Sequence, residues 1–333
     1  MAKIAVMGAG SWGTTFAKIL ADAGNEVTIW ARRDDLVEEI NDDHRNGDYL
    51  PGIKLPKSLR ANSDAAAVLA DAEQVYLAVP SQSLRSNLQT WGSSIPKDAI
   101  LVSLMKGVEK DTGLRMSEVI AQATEFPAAQ IVVVSGPNLA LEIANEEPAA
   151  SVAASSSKAS ALAVAKAASN SYFTTFTNGD VIGTEFGGIL KNLIAVAIGI
   201  VNGVGYGQNT KASIMTRGLA EISRFAVAYG AKPSTMVGLA GLGDLIATAE
   251  SPLSRNHRAG EMLGKGYTKK EVLKRMSQTA EGLSSVAPVL NLAAEKGVSM
   301  PIVEQVNLVI EGKMNPHDIA PHLTHEFEQP QGE

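Results

Sequence analysis

The stretch Lys3-Ile-Ala-Val-Met-Gly8-Ala-Gly10-Ser-Trp-Gly13-Thr-Thr15 decides the fold of this chain. An apolar, β-prone run leads into three glycines at G-x-G-x-x-G spacing, and apolar residues then recur at helical spacing. A strand that turns through glycines into a helix forms a cradle for a dinucleotide diphosphate. Gly8 allows the tight turn, Gly10 lets a phosphate approach the backbone, and Gly13 lets the helix pack against the strand. The helix N-terminus supplies N–H groups to the anion.

The residues after the second predicted strand, 26–30, favour NADP over NAD as the cofactor. An acidic residue at this place would bind the ribose hydroxyls of NAD. The chain instead has Arg32 and Arg33, and a guanidinium binds a 2′-phosphate through two hydrogen bonds. The alternative is a solvated arginine pair that Asp34 and Asp35 neutralise.

Composition excludes several classes of protein. A length of 333 residues suffices for two domains, and the net charge of −6 provides no basic surface for nucleic acid. The absence of cysteine excludes disulfides and cysteine-based metal sites, and none of the five histidines forms a ligand-like pair, so we expect no metal. A core strand predicted from residue 3 leaves no room for a signal peptide, which indicates the cytoplasm. The apolar run 193–201 is shorter than the ~20 residues of a membrane span, so we expect a buried helix and no integral membrane segment.

The first half of the chain alternates strands with helices, which predicts an α/β fold with a Rossmann-type, doubly wound parallel sheet. Strands are predicted at 3–7, 26–30, 74–79, 100–104, 131–135, 150–154 and 172–177. Helices are predicted at 36–41, 63–70, 81–90, 113–124 and 157–169. Ligands bind beyond the carboxyl ends of such strands, where the loops at Gly8, Arg32, Pro80, Lys106 and Gly136 lie.

After residue 178 the pattern becomes helical, which predicts an all-α C-terminal domain. Helices are expected near 219–229, 283–294 and 302–310, and Thr268 with Glu271 forms a capping-box signature. The predicted organisation is a dinucleotide-binding domain at 1–179, a helical substrate and dimerisation domain at 180–326, and a flexible tail at 327–333. We expect the active site in the cleft between the domains.

Lys191 is the candidate proton donor. It is the only charged residue between Glu185 and Lys211, inside a helix that otherwise has the pattern of a buried helix. Burial disfavours an ammonium and lowers the pKa of a lysine towards neutrality, where it can pass a proton to an alkoxide. The alternative is a lysine whose ammonium group reaches solvent from the helix end.

Three further segments carry polar groups that suit a small anionic ligand. Asp244 lies in the glycine-rich run 241–245, where it can bind a substrate hydroxyl, orient Lys191 or cap a helix. The run 254–258 combines two cations with three neutral hydrogen-bonding side chains, which suits a phosphate or a carboxylate, although a hydrophilic loop has the same composition. Lys106 and the 135–138 segment each follow a predicted strand, as ordinary strand-to-helix turns also do.

These motifs together resemble those of the bacterial NAD(P)-dependent glycerol-3-phosphate dehydrogenases over nearly the whole chain. Seven ordered motifs carry the resemblance: 8–14, 106–107, 135–137, 185–192, 241–245, 254–256 and 281–282. The resemblance implies reversible reduction of dihydroxyacetone phosphate to sn-glycerol 3-phosphate, which supplies phospholipid synthesis, by a cytoplasmic homodimer that uses NADP or NAD.

The resemblance also implies roles for individual residues. Lys191 is the proton donor and acceptor. The implied substrate-binding residues are Lys106, Gly136, Asn138, Lys191, Asp244, Ser254, Arg255 and Asn256. The implied cofactor-binding residues are Gly8, Gly10, Ser11, Trp12, Gly13, Arg32, Arg33, Lys106, Ala140, Arg255 and Glu281.

Three positions depart from the family pattern. Asn138 stands where the family more often has serine or threonine, and it still donates and accepts hydrogen bonds. Thr279 and Met105 receive no role.

Two alternatives compete with this interpretation. A related two-domain dehydrogenase for a β-hydroxyacid or ketopantoate would recognise a carboxylate in place of a phosphate. A cofactor-binding regulator without turnover would need the glycine loop but not Lys191 together with Asp244.

Overall fold

The computed structural model describes residues 1–276 and 280–319. The chain divides into two compact units, Met1–Glu185 and Phe186–Glu333. The predicted tail at 327–333 and Thr279 lie outside the described residues.

The N-terminal unit contains one eight-stranded sheet in the order β3-β2-β1-β4-β5-β6-β7-β8. Its strands are β1 Lys3–Met7, β2 Glu26–Trp30, β3 Arg60–Asn62, β4 Gln74–Leu77, β5 Ile100–Ser103, β6 Ile131–Ser135, β7 Ala149–Ala154 and β8 Phe173–Asn178. The seven predicted strands are confirmed to within two residues at each end. Strand β3 is not predicted from the sequence, because three residues are too few to show an alternating pattern.

The sheet is parallel from β3 to β6, but β7 pairs with β6 in the antiparallel direction. The predicted doubly wound parallel sheet is confirmed as a mostly parallel sheet, in which β7 and β8 are parallel to each other but run opposite to the other strands. A parallel neighbour needs a crossover across the sheet, whereas the connection after β6 contains one helix of five residues. The chain therefore re-enters the sheet at the edge where β6 ends, and β7 runs in the opposite direction to β6.

The helices α1 to α7 belong to the N-terminal unit, and α8 begins at the end of that unit. The helices of both units in the described residues are α1 Ser11–Asp22, α2 Asp34–Glu38, α3 Ala65–Leu69, α4 Leu84–Trp91, α5 Met116–Thr124, α6 Ala140–Ala144, α7 Lys158–Ala168, α8 Val181–Val204, α9 Gln208–Ala228, α10 Pro233–Met236, α11 Asp244–Glu250, α12 Arg255–Gly264, α13 Lys269–Arg275, α14 Glu281–Glu295 and α15 Pro301–Ile310. The C-terminal unit is helical wherever it is described and regular, as predicted.

Local signals explain where these helices begin. Thr268 caps α13 through the reciprocal bonds with Glu271 that the sequence predicts. The helix predicted from 113 begins only at Met116, because Gly113 has a φ of +69°. A π-helical turn, Glu39–Asp43, continues α2.

Helices cover both faces of the sheet, as predicted. Ile4 and Val6 of β1 belong to one apolar cluster, which also contains Phe16 and Ile19 of α1. Ala5 and Met7 alternate with them and join the cluster on the other face. This burial on both sides explains why the strand is a continuous apolar run.

Helix α8 is the central apolar helix that the sequence predicts near 193–201, although it is longer than that run. Among the described residues it is the one helix that is long and apolar enough to cross a membrane, yet 83% of its most apolar 18-residue stretch is buried inside the protein. This burial is typical of a core helix. The glycine-rich turn follows, and Gly205 has a φ of +96°.

Candidate active site

The glycine loop between β1 and α1 has the geometry of a diphosphate cradle. Gly8 has a φ of +127°, and a Cβ atom there would lie 2.8 Å from the carbonyl oxygen of Ala78. A Cβ atom on Gly13 would lie 1.9 Å from the carbonyl oxygen of Gly8, so only glycine allows α1 to pack this closely. These two glycines serve the fold of the loop.

Gly10 is different, because a Cβ atom built on it would meet no described atom within 4 Å. It precedes α1, whose first backbone N–H groups have no acceptor within the helix. Open space beside the positive end of a helix fits a bound anion. The residues present therefore fit the diphosphate of a dinucleotide.

The carboxyl edge of the sheet carries polar groups that the fold itself does not satisfy. Lys106 Nζ donates to the carbonyl oxygen of Gly136 at 3.1 Å, which brings two predicted site residues together after β5 and β6. Ser103 Oγ, Ser135 Oγ and both polar atoms of the Asn138 amide are buried without a hydrogen-bond partner in the described part of the chain. Buried groups of this kind cost free energy unless a ligand or water satisfies them, so this edge fits a polar ligand.

The two arginines after β2 have different environments. Arg32 is exposed and makes no ion pair within residues 1–276 and 280–319. Arg33 pairs with Asp48 at 2.5 Å and with Asp35 at 3.5 Å. Arg32 is therefore the more available guanidinium, whereas Arg33 already binds carboxylates. Asp34, the other acid expected to neutralise the pair, begins α2.

Helix α6 links a predicted cofactor residue to α1. It begins at Ala140, whose carbonyl oxygen accepts a hydrogen bond from Thr15 Oγ1 at 3.2 Å. Lys18, one turn further along α1, pairs with Asp22 at 2.6 Å and with Glu146 just beyond α6 at 2.9 Å. Burial opposes the charge of Lys18, but the hydrogen bonds with these carboxylates outweigh it and raise its pKa.

Lys191 is buried in the C-terminal unit, with 6% of its surface exposed. Its Nζ lies 2.9 Å from Asp244 Oδ1 and donates to Thr248 Oγ1. Thr248 donates in turn to Asp244 at 3.2 Å. Of the two interpretations of Lys191, burial excludes the lysine whose head reaches solvent. For Asp244, the structure has the contact with Lys191 that one of its three interpretations requires.

A second network lies one residue further along α8. Asn256 Nδ2 donates to Asn192 Oδ1 at 2.8 Å, and its own oxygen accepts from the backbone N–H of Gly282 at 2.9 Å. Asn256 thereby joins α8 and α12 to the start of α14, where Glu281 lies. Ser254 caps α12 by accepting from the N–H of His257 at 3.2 Å, and Arg255 is exposed.

Glycine contacts set the distance between α8 and α12. A Cβ atom on Gly199 or Gly203 would lie 2.2 Å from a carbonyl oxygen of α12, and one on Gly260 or Gly264 would lie 2.2 Å from one of α8. The two backbones touch, which brings the Asn256 amide within hydrogen-bonding distance of Asn192. Helix α8 thus presents glycines and polar residues to its partners along an otherwise apolar sequence.

The last residue of the N-terminal unit, Glu185, also belongs to the predicted motif 185–192. It is buried and accepts from the N–H of Ser117 at 2.9 Å, which caps α5. It also pairs with Arg115 at 2.5 Å. Burial raises the pKa of Glu185, and Arg115 opposes that shift. We assign it a structural role.

A cavity of about 370 Å³ lies elsewhere in the C-terminal unit. Its lining includes Ile198, Lys211, Glu250, Arg258 and Glu261, but none of the residues that the resemblance assigns to substrate or cofactor. The cations and carboxylates balance, so the lining favours neither sign of ligand charge. Within the described residues, no group of three or more histidine, cysteine, aspartate or glutamate side chains can hold a metal ion.

Two polar residues in contact with the predicted site residues are not predicted from the sequence. Thr248 lies four residues after Asp244 on α11, a spacing that places both on one helix face, and this signal could have identified it. Asn46 is fully buried and donates to the carbonyl oxygen of Ala9 in the glycine loop at 3.0 Å. It lies 37 residues further along the chain, so no local pattern connects the two.

A doubly wound sheet with a glycine-rich diphosphate cradle, followed by a helical unit with a buried lysine–aspartate pair, defines a class: the two-domain nicotinamide-dependent dehydrogenases.

Comparison with known proteins identifies the family. Residues 3–161 match the model of the NAD-dependent glycerol-3-phosphate dehydrogenase N-terminus, and residues 180–321 match that of the C-terminus. The glycerol-3-phosphate dehydrogenase [NAD(P)+] of Leifsonia xyli is 63% identical over 98% of this chain and 89% of its own length. The chain belongs to the NAD-dependent glycerol-3-phosphate dehydrogenase family, as the sequence resemblance predicts.

Solved structures agree with this assignment. The glycerol-3-phosphate dehydrogenase of Coxiella burnetii superposes with a TM-score of 0.91 at 34% identity, over 97% of this chain and 98% of that one. A ketopantoate reductase of Ralstonia eutropha has a TM-score of 0.57 at 16% identity, over 97% and 99% of the two chains. The second likeness shows a shared fold alone.

Proposed function

We propose that this chain catalyses the reversible NAD(P)H-dependent reduction of dihydroxyacetone phosphate to sn-glycerol 3-phosphate. Family membership supports the reaction, and the observation that carries the chemistry is the buried Lys191, held by Asp244 and Thr248. A dinucleotide held at the glycine loop would supply hydride chemistry at the carbon that becomes C2 of glycerol phosphate. The chain's own residues bind the substrate and move the proton.

Lys191 acts as the general acid of the reduction. As the carbonyl becomes an alkoxide, Lys191 Nζ donates a proton to that oxygen, and it takes one from solvent after the product leaves. In the oxidation it accepts the hydroxyl proton. Asp244 fixes the position of Nζ and compensates its charge, since a buried ammonium without a partner is costly. Thr248 orients the pair through its hydroxyl group.

The substrate phosphate requires cations and N–H donors. We assign it to the start of α12, where Ser254, Arg255 and Asn256 combine a hydroxyl, a guanidinium and an amide with the positive end of a ten-residue helix. We further assign Lys106, Gly136 and Asn138 to the substrate, because the Asn138 amide and the neighbouring serines of the sheet edge are buried and unsatisfied within the described residues.

The cofactor residues follow the sheet edge. We assign the diphosphate to the glycine loop with Ser11 and Trp12, and the adenosine end to Arg32 and Arg33. Lys106, Ala140, Arg255 and Glu281 complete the proposed set. Because Arg32 is exposed and unpaired in the described part of the chain, we propose that it binds the 2′-phosphate of NADP and that NADPH is the preferred reductant.

Several broader properties are part of the same proposal. We propose a dinucleotide-binding domain at 1–179 and a substrate and dimerisation domain at 180–326. We further propose a cytoplasmic homodimer whose product supplies phospholipid synthesis. Sedimentation of the purified chain tests the dimer.

An initial-rate assay with competing substrates tests the proposed function. We expect dihydroxyacetone phosphate to support oxidation of NADPH, and ketopantoate and β-keto acids to give at most a small fraction of that rate. Faster turnover of a carboxylate substrate would favour the related dehydrogenases. Dinucleotide binding without turnover of any of these substrates would favour a regulator.

A further inference from the structure

Residues 46–50 follow the π-helical turn after α2 and contact three separate parts of the proposed dinucleotide site. We propose that Asn46 is a positioning residue for dinucleotide binding, which fixes the peptide between Ala9 and Gly10 in the orientation that the diphosphate requires. This inference rests on the proposed function and adds to it a residue outside the glycine motif.

The contacts of Asn46 are buried and directed at the glycine loop. The residue has 0% of its surface exposed. Its Nδ2 donates to the carbonyl oxygen of Ala9 at 3.0 Å and to Thr14 Oγ1 at 2.8 Å. One amide thereby joins the loop to the first turns of α1. Its Oδ1 is buried without a partner among the described residues, a cost that a purely structural side chain would avoid.

The bond to Ala9 determines where the next N–H points. In a trans peptide, the carbonyl and the following N–H point in opposite directions. None of the described peptides is cis, so the Gly10 N–H points away from Asn46. Of the three glycines in the loop, Gly10 is the one beside which the described structure leaves open space. Asn46 therefore orients a donor at the position where a diphosphate approaches the backbone.

The rest of the segment contacts the same site more weakly. Ser11 Oγ donates to the carbonyl oxygen of Tyr49 at 2.7 Å, and Asp48 pairs with Arg33 at 2.5 Å. The Asp48 and Arg33 side chains are more than half exposed, and an exposed ion pair contributes little. The buried amide of Asn46 is thus the main anchor between this segment and the loop.

The experiment compares Asn46→Ala with Asn41→Ala. Asn41 lies in the same part of the chain and makes two hydrogen bonds with Ala61, at 3.0 and 2.9 Å, but none with the glycine loop. Fluorescence titration gives the Kd of NADPH and NADH, initial rates give kcat and the KM of dihydroxyacetone phosphate, and thermal unfolding gives Tm. We expect Asn46→Ala to raise the dinucleotide Kd roughly tenfold, because it removes the buried hydrogen bond to Ala9 that orients the Gly10 N–H. Its kcat at saturating cofactor and its substrate KM stay near wild type, and Asn41→Ala lowers Tm alone.

An unchanged dinucleotide Kd in folded Asn46→Ala, or an equal rise in both variants, would overturn the inference. If Asn46→Ala does not fold, Thr14→Val decides, because it removes one of the two acceptors and keeps the side-chain shape. A rise of about threefold in Kd then supports the proposal, and an unchanged Kd overturns it. Failure of the wild-type chain to bind either dinucleotide would instead overturn the proposed function on which the inference rests.

Discussion

The N-terminal and C-terminal units each contain residues assigned to the proposed reaction, and these residues act through different kinds of group. In the N-terminal unit, the main groups are backbone: glycines without a Cβ atom and the N–H groups at the start of α1. In the C-terminal unit, they are buried side chains, with Lys191 paired to Asp244 and Asn256 paired to Asn192. A site made of backbone groups therefore depends on the absence of side chains, whereas a site made of side chains depends on which partners come together.

The largest expected effect is on turnover, through the buried side chains of the C-terminal unit. Lys191→Ala removes the proton donor, so we expect kcat to fall about 10³-fold while the dinucleotide Kd stays unchanged. Steady-state kinetics and fluorescence titration measure the two quantities. Lys265→Ala, which removes an exposed lysine paired with Glu261, is the matched control and should retain full turnover.

The Lys191→Ala variant leaves Asp244 buried without its cation, which destabilises the folded chain. The double variant Lys191→Ala/Asp244→Asn removes that charge, and we expect it to regain stability but not turnover. Near wild-type kcat in either variant would refute the role of Lys191.

In the glycine loop of the N-terminal unit, we expect one glycine substitution to lower stability and another to weaken dinucleotide binding. Gly13→Ala forces a Cβ atom against the carbonyl oxygen of Gly8, so we expect a loss of more than about 3 kcal/mol of stability. Gly10→Ala meets no described atom and has a φ of −74°, so we expect a loss of about 1 kcal/mol or less. It should nevertheless raise the dinucleotide Kd about tenfold or more, because the methyl group occupies the proposed phosphate space.

Urea unfolding and dinucleotide titration of both glycine variants test this separation. Equal stability losses for the two would show that Gly10 serves the fold and not the ligand.

A comparison of buried acids gives a pH prediction. Glu185 caps α5 and has Arg115 beside it, whereas Glu221 caps α15 by accepting from the N–H groups of Ile302 and Val303 at 3.0 and 3.1 Å. Burial raises the pKa of Glu221 to about 7, with Arg224 opposing and Glu304 reinforcing the shift. The folded chain thus holds a proton that the unfolded chain releases near pH 4.5. This contribution to stability is complete below that pH and is lost as the pH rises through 7.

We therefore expect the stability of the wild-type chain to fall by about 2 kcal/mol between pH 5 and pH 8 through Glu221. The Glu221→Gln variant should lose this pH dependence, whatever its mean stability. Chemical denaturation of both chains at the two pH values measures it. An identical pH dependence in the variant would place the proton elsewhere.

The smallest expected effect concerns the two arginines. Arg32→Ala should lower kcat/KM with NADPH roughly tenfold and leave NADH unchanged, because it removes a charged hydrogen bond to the 2′-phosphate. Arg33→Ala should change the ratio less, since Arg33 already binds Asp48 and Asp35. Initial rates with each cofactor measure the ratio, and a larger effect from Arg33→Ala would reverse their assignments.

The glycine loop of the N-terminal unit is easier to predict from the sequence than the side-chain contacts of the C-terminal unit. The spacing of Gly8, Gly10 and Gly13 identifies the cradle, since each glycine has a separate steric reason for its place. Lys191 was also visible, because a lone charge in an apolar helix is unusual. The sequence does not predict the reversed direction of β7, because a short return connection and a parallel crossover both place a helix after the strand. Asn46 is joined to the glycine loop only by the tertiary fold.

The contact between α8 and α12 limits how this scaffold can diversify. At Gly199, Gly203, Gly260 and Gly264 the two backbones touch, so these positions admit no larger residue without separating the helices. A library of variants selected for new substrates can therefore vary the strand-end loops and the start of α12. Variants with larger residues at the contact between α8 and α12 should misfold and be lost from the selection. New specificities would arise around a helical crossing that itself stays the same.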